Sequence, residues 1–324
     1  MNKNILFSIL IPAYKKQYFK DCIDSVLSQT YESFELIIVD DASPEDIADV
    51  VYQYEDSRIK YYRNDTNFGA VNVVDNWNKC LSYATGDYVI CMGDDDILPP
   101  TSLEQYHDLI CEYPQIKVFH GRTELIDEEN KSIALLEPRD VDESTLSLIY
   151  YRWKGRYQFI GDFCFETKAL RSMGGFYKLP MAWGSDDISV VRQAEAGGGI
   201  VNSNEILFKY RDNRLSISSS GSLLNKLEAV RLEEKWYETF LENYKRKDGS
   251  EKLFYQYIND IKGAYFFKKR LNIIITIISQ APLRFFFFLF NKGKYGLNIK
   301  LLIYVLLMGM VEKGKTHYKS NYLS

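Results

Sequence analysis

The run Tyr88-Val89-Ile90-Cys91-Met92-Gly93-Asp94-Asp95-Asp96-Ile97-Leu98-Pro99-Pro100 decides how the rest of the chain is read. An apolar segment with the character of a buried strand ends in three consecutive aspartates, and a Pro-Pro breaker follows. Adjacent carboxylates repel, so a fold keeps them together at some cost. A hard divalent cation relieves that repulsion, and clustered carboxylate oxygens are what Mg²⁺ or Mn²⁺ take. Such a cation can in turn hold a diphosphate, the leaving group of many activated metabolites. The same residues also suit a solvated acidic turn ahead of a helix starting near Thr101, so the neighbouring sequence must decide.

Upstream, Leu6–Ile11 and Phe34–Val39 are further apolar runs with strand character, and Ile59–Tyr62 is a shorter one. Between them, Phe19, Cys22, Ile23, Val26 and Leu27 recur at helical spacing within Tyr18–Gln29. Ile47–Tyr54 and Val71–Ala84 also read as helices, the last stopped by Gly86. Strand, helix, strand, helix, strand in this order predicts a βαβαβ half of a doubly wound sheet. Near-continuous apolar strands imply helices on both faces. Ala13-Tyr14, Asp40-Asp41 and Asp94–Asp96 then all fall just beyond the carboxyl ends of strands, the edge where open parallel sheets bind ligands. Neither GxGxxG nor GxxxxGK[ST] is present, so a nucleotide here is held by side chains and a metal rather than by a glycine-rich loop.

At 324 residues the chain has room for one large domain with an appendage. Its five cysteines (Cys22, Cys80, Cys91, Cys111, Cys164) form no CxxC pair, which fits a reducing cytoplasm and neither a disulfide framework nor a zinc site. The first residues lead directly into a strand with no secretory h-region. The net charge of −4 hides an asymmetry: Lys262 to Ser324 holds eleven Lys/Arg and one acid, Glu312, hence +10, which leaves −14 on the rest. Because the basic part is also the most apolar, the expected partner is an anionic membrane surface and not nucleic acid.

Several motifs together resemble family 2 glycosyltransferases of the GT-A fold: Ser8-Ile9-Leu10-Ile11-Pro12-Ala13-Tyr14, Val39-Asp40-Asp41-Ala42-Ser43, Asn67-Phe68-Gly69, and Ala84-Thr85-Gly86-Asp87-Tyr88 before the aspartates. Order and spacing match over roughly residues 5 to 220. Asn76-Trp77-Asn78-Lys79-Cys80-Leu81 is similar to a bacterial subgroup that builds surface polysaccharides. The resemblance implies a Rossmann-like, mostly parallel α/β sheet flanked by helices. It implies a nucleotide-sugar half over 1–100, an acceptor half over 101–220 and a C-terminal helical region over 221–324.

Carried onto this sequence, the resemblance puts Pro12, Ala13 and Tyr14 beside the nucleotide base, with Tyr14 stacking on it. Asp41 would accept from a uracil-like base and Asp40 would face the ribose, although both also suit an Asx turn or a helix cap. Asn67 would lie near the diphosphate or sugar, or serve its own loop. Lys15 and Lys16 read as solvated. The family form Asp-x-Asp-Asp-Ile, counted back from Ile97, sets Gly93 where its first Asp would stand and assigns the metal to Asp95 and Asp96, with Asp94 behind them on the nucleotide-sugar side; counting Asp94-Asp95-Asp96 itself as Asp-x-Asp gives a shifted assignment.

Downstream, Val118–Leu125 reads as a strand with His120 as a structural histidine, and Asp140–Arg152 as a helix with its connecting loop. Gly161–Glu166 resembles the segment before the acceptor site. Trp183-Gly184-Ser185-Asp186-Asp187-Ile188, with Arg192 beyond, resembles the acidic motif that supplies the base in inverting members. Counting from Arg192 places Asp186 at the base position, Ser185 where the family has Glu, and Asp187 at a variable site; helix capping is the bland reading of all three. In Tyr210–Ser218, Asn213 stands where the family often has a metal- or phosphate-contacting His, and Arg211 and Arg214 are candidate phosphate contacts.

Leu223–Tyr244 reads as an amphipathic helix. Beyond it, Leu271–Phe290 is interrupted by Gln280, Pro282 and Arg284, and Leu301–Val311 is short, so neither is convincing as a membrane span. Basic, aromatic helices suit a monotopic contact with the inner face of the cell membrane, or else a helical subdomain or homodimer face. The expected activity is transfer of a sugar, with inversion, from a nucleotide-diphospho-sugar to a glycan or lipid-linked hydroxyl, with Mn²⁺ or Mg²⁺. A sugar-phosphate nucleotidyltransferase and a catalytically inactive membrane scaffold are the alternatives.

Overall fold

Residues 4–213, 222–245, 249–297 and 299–311 are described in the computed structural model, 306–311 by backbone alone. Among them a nine-stranded sheet is built on β1 (Phe7–Ala13), β2 (Phe34–Asp40), β3 (Ile59–Arg63) and β4 (Tyr88–Cys91), all parallel, in the order β3-β2-β1-β4. The order continues through β8 (Phe163–Glu166), β5 (Val118–Ile126), β9 (Ile200–Arg211) and the two-residue β7 (Asp142–Glu143), with β6 (Ser132–Leu135) on β5. Strand β8 runs antiparallel to both β4 and β5, whereas β5 and β9 pair in parallel along most of their length. The longest ladders are thus parallel, as the expected GT-A class requires.

Alternation along the strands builds the core. On β1, Phe7, Ile9 and Ile11 point to one face and Leu10 to the other; on β2, Leu36 and Ile38 oppose Ile37 and Val39. The first face is covered by α1 (Phe19–Leu27), α2 (Ile47–Val51) and α4 (Ser102–Glu112). Helix α1 buries Phe19, Cys22, Ile23 and Val26 at the anticipated spacing. The second face is covered by α3 (Val73–Tyr83), α5 (Thr145–Trp153), α6 (Thr167–Ser172) and α7 (Ser185–Gly197). Three further helices are α8 (Leu223–Asn243), α9 (Ser250–Gln280) and α10 (Arg284–Phe290), followed by α11 (Ile299–Val311).

The C-terminal helices share this second core. Leu227 and Val230 of α8 and Ile258 and Phe266 of α9 are fully buried in it, and Trp153 of α5 stacks on Tyr265 of α9 with ring centres 5.0 Å apart. The division anticipated at residue 220 lies outside the described residues, as do Arg214 and Glu312. The compositional break read at Lys262 is not a structural one: α9 runs unbroken across it and stops before Pro282, whose missing N–H and fixed φ end a helix. No described helix is long and apolar enough to cross a membrane.

Candidate active site

Topology creates the site. Strand β1 leads to β2 on one side, and the chain later crosses to place β4 on the other, so the strand order reverses at β1, the kind of switch point beyond which open sheets bind ligands. Register aligns Ala13 with Asp40 and Leu10 with Cys91, which carries Asp94 to the start of the Tyr14 loop. There the backbone N–H groups of Tyr14 and Lys15 both donate to one Asp94 oxygen at 2.7 Å. The Ser43 hydroxyl donates to the Tyr14 carbonyl at 2.5 Å, tying the second strand end to the same point. Pro12 and Ala13 are enclosed while the Tyr14 ring is 42% exposed, a free aromatic face on the rim.

Asp40 and Asp41 organise the rim from within. Asp40 accepts from Ser43 N (2.8 Å) and Tyr61 Oη (2.9 Å) and pairs with Arg63. Asp41 accepts from Asn64 Nδ2 (2.9 Å) and Phe68 N (3.0 Å), closing the 64–68 loop onto β2. Asn67 is exposed, and its side-chain oxygen accepts from Gly69 N, the loop-serving alternative. Ala42, just after these two aspartates, holds φ 47°, an uncommon conformation for a residue with a Cβ.

The three aspartates have three different environments. Asp94 is buried on its two N–H donors; burial, then the Asp95 charge, pushes its carboxyl up to about 6. Asp96 is buried, accepts from Gly93 N (3.2 Å) and Arg211 N (3.0 Å), and is driven well above the usual carboxylate range by the same two causes. Asp95 is only half-buried. Its carboxylate takes Asn213 Nδ2 at 2.7 Å and faces the Lys15 ammonium at 3.5 Å. An acid at Gly93, as in the commoner family form, would require the carboxylates to shift, since a Cβ there would stand 2.8 Å from oxygens of both Asp95 and Asp96.

Two expectations need correction. Arg211 does not face the crevice: it is 1% exposed, its Nε donates to the Asp95 carbonyl (2.7 Å) and its Nη1 to the Asp127 carbonyl (2.9 Å), and it stacks on the Tyr18 ring. A guanidinium's fixed fork suits bracing two carbonyls from behind the aspartate loop, and β9 pairing with Ile97 delivers it there. Asp96, likewise, is buried with its carboxylate on backbone N–H groups, which leaves Asp95 the more open of the two residues read as a metal pair. Lys15, read as solvated, instead turns its ammonium to Asp95 across 3.5 Å, a placement that no local sequence pattern signals. Among the described residues no three His, Cys, Asp or Glu side chains gather to hold a metal. A hard cation needs only one or two carboxylates and completes its shell with water and substrate phosphates, and Asp95 is the carboxylate open to it; its present partners are the Lys15 ammonium and the Asn213 Nδ2–H group.

The acidic motif sits at the start of α7. The turn before it, Pro180–Ala182, packs against Ala70–Asn72, next to the Asn67 loop, so the two constellations adjoin. Met181 and Ala182 hold positive φ (63° and 54°), backbone strain of roughly 1–3 kcal/mol each that concentrates at functional sites. Asp187 is 1% exposed and accepts from Arg152 Nε (2.7 Å) and Gln158 Nε2 (2.8 Å). Burial alone would raise its carboxyl, but the charges of Arg152 and Lys269 and these hydrogen bonds hold it below the usual range. Asp186, half-buried, is pushed up to about 8 by burial and then by Asp187. Asp187, which the acidic motif offered beside Asp186 as a second candidate catalytic acid, is thus held in an ion pair with Arg152. Ser185 is buried and caps Leu179 N (3.0 Å).

His120 is buried beside Asp162 and held neutral by burial, a structural histidine as read. Arg192 packs over Tyr177 and donates to the Met173 carbonyl.

A mixed sheet of this order with an acidic strand-end loop defines a GT-A glycosyltransferase. The sequence model described as "Glycosyl transferase family 2" matches residues 8–173, and the chain belongs to that family, of the bacterial surface-polysaccharide type. It is 26% identical over 219 residues, 66% of this chain and 80% of the relative, to an Escherichia coli UDP-Glc:α-D-GlcNAc-diphosphoundecaprenol β-1,3-glucosyltransferase, WfgD. The fold is similar to that of Staphylococcus aureus TarS residues 1–349 in complex with UDP-GlcNAc (TM-score 0.64, 17% identity, 86% of this chain and 82% of that one). It is also similar to the mannosyltransferase PcManGT of Pyrobaculum calidifontis in complex with GDP-Man and Mn²⁺ (TM-score 0.54, 15% identity, 95% and 87%).

Proposed function

We propose that this glycosyltransferase moves a sugar, with inversion, from a UDP-sugar to a hydroxyl of a glycan or lipid-linked saccharide at the membrane surface. The observation that carries the reading is the junction of strand ends at which Tyr14 and Lys15 hang on Asp94 while Asp95 is left facing a cation. Tyr14 offers a stacking face for the base and Asp41 a polar edge, while Asp40, expected toward the ribose, is wholly buried on Ser43, Tyr61 and Arg63 and supports that edge from behind. Asp95, with Asn213 beside it, would hold a divalent ion, which when bound neutralises the departing diphosphate. Lys15 adds positive charge at the same place, and the Arg211 brace keeps the loop in shape.

Opposite the leaving group, the acceptor hydroxyl must lose a proton as its bond to the anomeric carbon forms. A carboxylate whose pKa lies near the working pH is suited to take it, and Asp186 is such a group. The UDP preference draws support from the UDP-Glc donor of WfgD and the UDP-GlcNAc of the TarS complex. Thermal shift with UDP-, GDP- and dTDP-sugars, with and without Mn²⁺, tests it. UDP-sugars should raise the melting temperature, and only with metal; a larger shift with a GDP- or dTDP-sugar would overturn the donor assignment. The nucleotidyltransferase reading has no observation in its favour.

A further inference from the structure

Beneath the acidic pair, the C-terminal helices supply charge. Glu233 of α8 is wholly buried, and its two oxygens receive Lys269 of α9 at 2.9 and 2.7 Å. A Cβ on Gly184, the left-handed residue from which α7 starts (φ 90°), would stand 2.9 Å from the Glu233 carboxyl carbon. The Glu233–Lys269 pair therefore abuts the turn that launches Asp186 and Asp187. Along α8, Lys226, Val230, Glu233 and Tyr237 share one face at spacings of four and three. Lys226 lies over the Trp183 ring at 4.7 Å, so this face follows the acidic motif from its first residue.

The groups facing Asp187 come from three other helices: α5 gives Arg152, α8 gives Glu233 and Tyr237, and α9 gives Lys269 and Tyr265. Asp186 feels Asp187, Arg152 and Lys269 directly, and Glu233 reaches it through Lys269 and the Gly184 turn. Two cations, Arg152 and Lys269, stand among three carboxylates, Asp186, Asp187 and Glu233. Enclosed charge of one sign in excess is costly, and the set is relieved when one carboxyl keeps a proton. Asp187 is bound to Arg152 and Glu233 to Lys269, which leaves Asp186 to carry it.

We propose that Glu233 and Lys269 are positioning residues for the transfer step, through which the C-terminal helices fix the start of α7 and set the charge against which Asp186 takes and returns its proton. This rests on Asp186 being the base. It makes the C-terminal helices part of the catalytic machinery, where the sequence suggested an appendage.

The test exploits the opposite charges of the two residues. Lys269→Met removes a cation and should move the acid limb of the kcat/KM profile upward by about one pH unit, roughly a tenfold loss at pH 7. Glu233→Gln removes an anion, keeps a hydrogen-bonding group for Lys269, and should move the limb downward; Lys269→Arg should restore the wild-type profile. The KM for the donor should stay unchanged in all three. Residues with a merely structural role would not give opposed shifts. Aspartate ¹³Cγ NMR, with Asp186→Asn assigning the resonance, reads the same shifts without turnover. Should Lys269→Met fail to fold, Glu233→Gln alone decides by the direction of its shift. An unmoved Asp186 resonance, or shifts of the same sign in both variants, would overturn the proposal. Persistent transfer by Asp186→Asn would instead overturn the assignment of the base, with the NMR shifts still reporting on the pair.

Discussion

Asp186 and Asp187 are neighbours in sequence and opposites in behaviour. Asp187→Asn should leave Arg152 buried without its counter-charge, a loss on the order of 3–5 kcal/mol measurable by urea unfolding. Asp186→Asn should keep fold and donor binding and lose transfer. Its effect on stability has a definite sign. A carboxyl raised to about 8 in the folded protein and ordinary in the unfolded chain leaves the folded state holding more protons between those values, so stability falls as pH rises through that window. Asp186→Asn should remove that slope, and an unchanged slope would refute the raised carboxyl. For the same reason wild-type kcat/KM should climb with pH toward about 8. Sequence showed that two acids were present, and only the resemblance, counted from Arg192, singled out Asp186 between them. What separates the two roles, Arg152 thirty-five residues away and Lys269 on another helix, leaves no local pattern to read.

At the level of elements, the parallel half was legible because buried strands and amphipathic helices carry opposite periodicities. Strand ends landed within two residues of expectation, and the rim followed from them. Strand β9 was less legible. It delivers Arg211 and Asn213 to the aspartate loop through a pairing with Ile97 more than a hundred residues earlier. An arginine in sequence looks like a phosphate ligand, and only its burial against two carbonyls reveals a brace. Arg211→Met should cost about 2–4 kcal/mol, from backbone acceptors left unpaired, and should weaken metal-dependent donor binding by releasing the loop. Arg211→Lys should not rescue it, because an ammonium lacks the fork. Equal stability of Arg211→Met and wild type would contradict the brace.

Across the whole molecule, the second core joins the sheet to the C-terminal helices, whose outer surface is unlike the rest. Leu283, Phe286, Phe290, Ile299 and Ile303 are each about half exposed or more, with Lys292, Lys294 and Lys300 among them. We propose that this face rests on an anionic lipid surface, where apolar side chains enter the acyl boundary and lysines meet headgroups. Replacing Phe286 and Phe290 together by serine should sharply reduce sedimentation with phosphatidylglycerol vesicles while leaving soluble-donor binding intact. Unchanged sedimentation, or conversion of a dimer to a monomer by the same change, would assign the face to something other than lipid. Composition announced this region's charge and apolarity; its role in the core was hidden, because helical periodicity cannot say which partner an apolar stripe meets.

Everything in the functional reading converges on Asp95 as the carboxylate that joins the protein to metal and diphosphate. Calorimetric titration of UDP into wild-type protein and Asp95→Asn, with and without Mn²⁺, addresses it directly. Binding to the wild type should be strong only with Mn²⁺, and Asp95→Asn should lose that increment while Asp186→Asn retains it. UDP binding that ignores the metal, or that survives intact in Asp95→Asn, would contradict the reading of this site.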